Sequence, residues 1–104
     1  MAKFVLVYRN GGGIPQTAEE QKVTMAAWGT WYGKLGAAVV DGGAPFGALK
    51  TVAPKASDGP ANRLDGYTIL SADSLAAAAD MAKECPVLGR GGSIDIYEHI
   101  DMAM

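Results

Sequence analysis

One histidine, one cysteine and a modest set of carboxylates and tyrosines carry the side-chain chemistry of this 104-residue chain. Asp41 ends a run of small apolar residues and precedes Gly42 and Gly43. In an apolar cleft it can act as a general base, because desolvation raises a carboxylate pKa towards neutrality. Its other role is an Asx-type hydrogen bond that holds the turn. His99 lies close in sequence to Asp95 and Asp101. It can pair with either and shuttle protons near neutral pH, or stand in solvent as a surface histidine. Asp41 and His99 are therefore the candidate catalytic residues. Trp28, Tyr8, Tyr67, Tyr97 and Asp95 are the candidate substrate-binding residues, since apolar walls with a few polar tips suit a small-molecule site. Core or interface packing is the alternative for Trp28 and Trp31, and ordinary sheet packing for the tyrosines. Cys85, next to Pro86, has no neighbour in sequence that would lower its pKa, so an inert thiol is expected. One cysteine and one histidine cannot build an ordinary structural zinc site, and the carboxylates lack a recognisable magnesium spacing. We expect no metal and no cofactor.

The elements that must position these residues are marked by glycine and proline, 14 and 5 of the 104 residues, at breaks between periodic segments. Lys3 to Arg9 is apolar on both alternating faces from Phe4 to Tyr8, which predicts a strand covered on both sides and central in a sheet. It stops at Asn10, Gly11–Gly13 and Pro15. Thr17 and Glu20 form a capping box with Glu19 in the first turn. Met25, Trp28, Tyr32 and Leu35 then share one helical face, with Gly36 as the C-cap. Gly29 and Gly33 sit in this helix four residues apart, each costing about 1 kcal/mol relative to alanine. A close approach of another backbone is one reason to tolerate them; drift is the other. Ala37 to Val40 reads as a second strand ended by Asp41-Gly42-Gly43, and Ala48 to Val52 as a weaker one. Pro54 to Arg63 is a polar turn containing Asp58-Gly59-Pro60. Leu64 to Leu70 is the next strand. Ser71 can cap a second helix over residues 72–84, with Pro86 beyond its end. Gly89-Arg90-Gly91-Gly92-Ser93 precedes a strand and lacks the ending of a phosphate loop, so it reads as a turn. Ser93 to Ile100 is the last strand. Ile94, Ile96, Glu98 and Ile100 share one face, and Ser93, Asp95, Tyr97 and His99 the other.

This order predicts one α+β domain over residues 1–104, a ferredoxin-like β-α-β-β-α-β sandwich with two helices on one face of an antiparallel sheet. The other face then needs a partner, and a homodimer with facing sheets is the natural one. A small-molecule ligand would sit in the cleft so formed. The formal charge of −2 is small and of the wrong sign for nucleic-acid binding. No apolar run approaches the roughly 18 residues of a membrane span, and no leader pattern precedes the first strand. With a single cysteine, these features lead us to expect a cytoplasmic domain with no nucleic-acid and no membrane partner.

Several segments resemble the YCII-related and DGPF-domain proteins. Trp28 to Gly36 followed by Ala37-Ala38-Val39-Val40-Asp41-Gly42-Gly43 is similar to that family's first helix and second strand. Asp58-Gly59-Pro60 resembles the turn that names the DGPF group. Gly66-Tyr67-Thr68-Ile69-Leu70 and Ser71 to Leu75 resemble its third strand and second helix, with Cys85-Pro86 and Gly92 beyond. The resemblance implies a dimeric α/β barrel. It further implies a cofactor-independent enzyme of lyase, isomerase or oxygenase type working by acid-base chemistry in the dimer cleft, or else a non-catalytic binding or accessory protein. In some members a histidine early in the first helix and an aspartate after the second strand are the proposed acid-base pair. Asp41 occupies the second place; Met25 and Trp28 stand around the first, without a histidine. Ala61 replaces the phenylalanine of the DGPF turn.

Overall fold

A computed structural model describes residues 2–10, 17–55 and 64–102. The chain folds as α+β, with a four-stranded, wholly antiparallel sheet in the order β2-β3-β1-β4 and helices closing one face. This arrangement is compatible with a ferredoxin-like fold. β1 (Ala2–Arg9) lies in the interior of the sheet, as its apolar residues on both faces require. Phe4, Leu6 and Tyr8 are buried on one face, while Val5 and Val7 are half-buried on the other. β3 (Leu64–Ala72) alternates in the same way and buries Thr68, Leu70 and Ala72 beside them.

The helix side of the sheet is closed by α1 (Ala18–Leu35), α2 (Leu75–Ala82) and a single helical turn, α3 (Pro86–Gly89). Thr17 caps α1 by accepting the Glu20 amide at 3.0 Å. Trp31 is the only fully buried residue of α1, and its indole donates to the Met81 carbonyl at 2.9 Å, tying α1 to α2. Ala78 and Ala82 of α2, Cys85 and Val87 complete one core with the strand residues. The N-terminal half of α1 stands away from this core, leaving Met25 74% exposed although it lies on the face of Trp28 and Tyr32. No helix among the described residues is long and apolar enough to cross a membrane.

Several boundaries differ from those read in the sequence. Residues 36–38 form a 3-10 turn, and β2 (Val39–Pro45) runs through Asp41-Gly42-Gly43 instead of stopping there. Its pairing with β3 shifts register on both sides of Asp41, so these residues make a bulge. Gly43 is obligatory in it: φ is +75°, and a Cβ would stand 1.7 Å from the Tyr67 carbonyl oxygen. No strand forms over residues 48–52, where Leu49 and Val52 are exposed. Ser71 does not cap a helix, because its pairing with Lys3 keeps it in β3. Ser74 does so instead, accepting the Ala77 amide at 3.1 Å. α2 ends at Ala82, short of Glu84, and Pro86 opens α3, its missing N–H harmless in a first turn. β4 (Ser93–Glu98) packs Ile94 and Ile96 against the core but stops before Ile100, which is 63% exposed. Gly11–Gly13, Pro15 and Asp58-Gly59-Pro60 lie outside the described residues.

Candidate functional site

Because the first half of α1 leaves the sheet, a cleft of about 450 Å³ opens between them, within the size range of small-molecule sites. Its helix wall is Thr24 together with Met25, Trp28, Gly29 and Tyr32, the last four spaced i, i+3, i+4 and i+7 and therefore on one face. Tyr8 lies opposite, with the β2 bulge at Gly42 and Gly43 beside it, and Val87 and Arg90 close the end next to α3. Trp28 is the centre of an aromatic cluster, edge-on to Tyr8 at 5.3 Å and to Trp31 at 5.6 Å and tilted against Tyr32 at 5.8 Å. Such pairs hold rings in fixed orientations beyond what burial alone achieves.

Beneath the aromatics lies a chain of hydroxyls. Tyr8 OH donates to Thr68 Oγ1 at 2.5 Å, Thr68 Oγ1 donates to the Gly42 carbonyl at 3.1 Å, and Tyr32 OH donates to the same carbonyl at 2.8 Å. Each hydroxyl has one proton, and each is used here. The two tyrosines that line the cleft therefore offer a guest lone pairs rather than protons. Burial pushes Tyr8 far above the usual tyrosine range, against the opposing hydrogen bond to Thr68, and raises Tyr32 for the same reason. Burial also pushes the Cys85 thiol up to about 11. All three stay neutral at physiological pH, so none is a ready base or nucleophile.

Of the sequence-derived candidates, Tyr8 and Trp28 meet in this cleft. Tyr67 borders it, but its ring stacks on Phe46 at 5.8 Å and its hydroxyl lies 3.5 Å from Asp41 Oδ2. Asp41 pairs with Ile69 on the open face of the sheet, and its Oδ1 accepts the Gly43 amide at 2.8 Å, the turn-holding role. Asp95 and Tyr97 share that open face from β4, with Asp95 held by Arg9 at 3.0 Å. His99 follows β4, its amide bonded to the Lys3 carbonyl at 2.9 Å and its Nδ1 3.3 Å from Asp101 rather than Asp95. Asp41 and His99 flank opposite edges of the sheet, three strand spacings or about 14 Å apart. The structure thus brings together neither these two within one chain nor the three tyrosines, since Tyr8 faces the helices and Tyr67 and Tyr97 the open side.

Two residues that line the cleft, Tyr32 and Gly29, and one buried beneath it, Thr68, were not singled out as site residues. Tyr32 sits one turn beyond Trp28 on the same face, which is a usable signal. Thr68 is a polar residue on the buried side of an alternating strand, another one. Gly29 gave a signal only as an unexplained helix glycine. No group of three or more His, Cys, Asp or Glu side chains among the described residues is placed to hold a metal. Compared with known proteins, the chain matches no family model, and no curated protein matches it.

Proposed function

We propose that the chain is a small-molecule-binding protein of ferredoxin-like architecture, related to the YCII and DGPF proteins, that holds a mainly apolar organic ligand between α1 and the sheet. The cleft carries this reading: it joins an aromatic wall to a buried hydroxyl network whose protons are already committed. Such a site binds and orients: its tyrosines stay neutral, and Asp65 and Arg90 are the charged groups on its lining. A thermal-shift screen against small aromatic and alicyclic compounds tests it, since a ligand bound only by the folded state raises the melting temperature with the logarithm of its concentration. A concentration-dependent rise that Trp28→Ala abolishes is the expected result. A panel without any such rise overturns the reading.

The open sheet face supports a homodimer with facing sheets, the arrangement of a dimeric α/β barrel. Two rows cross that face, Asp41-Ile69-Val5-Tyr97 and Ala44-Tyr67-Val7-Asp95. Their middles are apolar, and water is a poor partner for Val5, Val7 and Ile69 side by side. Sedimentation at micromolar concentration should give a dimer; a monomer alone overturns this part. One observation favours a catalytic second reading. Asp41 and His99 stand at opposite edges of the same face, where a two-fold axis along the strands sets one copy's β2 edge over the other's β4 edge. Acid-base chemistry then belongs to the dimer and vanishes with it.

A further inference from the structure

The helix wall of the cleft has a gap at its centre. Met25, Trp28, Gly29 and Tyr32 form one stripe, and the residue in the middle has no side chain. Glycine inside a helix weakens it relative to alanine, so a local reason is to be looked for. Backbone conformation is not that reason, because Gly29 is not among the positive-φ glycines. Close packing is not the reason either: a Cβ at Gly29 would meet nothing within 4 Å. What the glycine changes is the cleft itself. Its bare backbone lines the space on the α1 side, flanked by the Trp28 and Tyr32 rings, while the bare backbone of Gly42 and Gly43 lines it on the sheet side. Gly33, one turn later, also has open space at its Cβ position but does not line the cleft.

We infer that Gly29 is a specificity-determining residue, which keeps the cleft wall flat enough to admit a planar ring compound against the backbone of α1. This rests on the binding reading above and deepens it. A side chain at position 29 projects the same way as Met25 and Tyr32 and occupies the space the ring needs. The backbone walls at Gly29 and at Gly42-Gly43 favour a flat guest over a globular one of equal volume.

The test is a titration of the full-length protein with 2-naphthol, a flat two-ring probe, followed by NMR of the tryptophan indole groups. Wild type, Gly29→Ala, Gly29→Leu and Gly33→Ala are compared. Wild type and Gly33→Ala should give the same saturable shift of the Trp28 indole and the same Kd. Gly29→Leu should weaken binding at least about tenfold, the equivalent of about 1.4 kcal/mol, with Gly29→Ala intermediate. Both alanine variants should melt at or above the wild-type temperature, which separates loss of space from loss of fold. Gly29→Leu binding as tightly as wild type overturns the inference and leaves the binding reading intact. So does an equal loss in Gly29→Ala and Gly33→Ala, because a stiffer helix then accounts for both. Absence of a saturable Trp28 shift in wild type overturns the assignment of Gly29 to a planar guest, while the binding reading itself falls only with the compound panel.

Discussion

The two faces of this sheet begin from similar material and end in different states. β1 sends Phe4, Leu6 and Tyr8 to one side and Val5 and Val7 to the other. On the first side three helical segments close over the strands, and Trp31, Leu70 and Thr68 are almost wholly excluded from solvent. On the second, no segment of the described chain covers the valines, and the polar groups at the rim pair with one another. Burial on the helix face holds the monomer together, whereas the apolar rows of the open face are available for association. The cleft lies on the helix face, where the covering is incomplete because α1 departs from the sheet.

The largest test of this contrast is truncation of the largest buried side chain on the helix face and of a half-buried valine on the open face. Trp31→Ala removes a large side chain that is 2% exposed, and the indole bond to the Met81 carbonyl goes with it. Its cost should be about 3–5 kcal/mol in chemical denaturation. Val7→Ala, measured at a concentration where the protein is monomeric, should cost less than about 1 kcal/mol. Equal costs would break the distinction between the faces.

A subtler pair compares polar atoms. Thr68→Val keeps the shape of a fully buried residue but deprives the Tyr8 hydroxyl of its acceptor, which should cost about 2 kcal/mol. Thr30→Val, at an exposed hydroxyl that only donates back to the Ala26 carbonyl of its own helix, should change stability by no more than about 0.5 kcal/mol.

The helix face also predicts an alkaline limit. Cys85, Tyr8 and Tyr32 all have pKa values raised by burial, so the folded state keeps protons that the unfolded chain gives up. Stability should be level through neutral pH and fall as pH rises past the ordinary thiol value of 9.0, while Cys85 stays protonated in the fold up to about 11. In Cys85→Ala the fall should begin only near the ordinary tyrosine value of 10.0. Melting curves at stepped pH measure both onsets, and an onset unmoved by the substitution removes the thiol from the account.

How far these features could be read in advance varies by element. β1, the α1 capping box and the presence of β3 were legible because each rests on a local run of strand-forming residues or a short hydrogen-bond motif. The β2 bulge was not, since glycines 42 and 43 look like a strand stop until β3 lies beside them. Ser71 and Ser74 are both plausible caps, and the choice depends on pairing with Lys3, some 70 residues away in the chain. At the site, Trp28 and Tyr8 were legible as aromatics, but not that they would meet. Asp41 and His99 were legible as chemistry without geometry: sequence gives no way to see that two intervening strands separate them.

The smallest expected effect bears most directly on the open face. Arg9 and Asp95 are 30% and 38% exposed, and a pair so placed contributes about 0.2–1 kcal/mol and is weakened by salt. The guanidinium Nε is buried with no hydrogen-bond partner among the described residues, which offsets part of that gain. A double-mutant cycle with Arg9→Met and Asp95→Asn, in dilute protein, should therefore give a small, salt-sensitive coupling. Repeated at concentrations where the sheets are proposed to face each other, the coupling should grow and lose its salt dependence, because the pair then sits at the rim of a drier interface. A coupling that stays small and salt-sensitive as the protein associates means that the copies meet through some other surface, leaving this face to solvent.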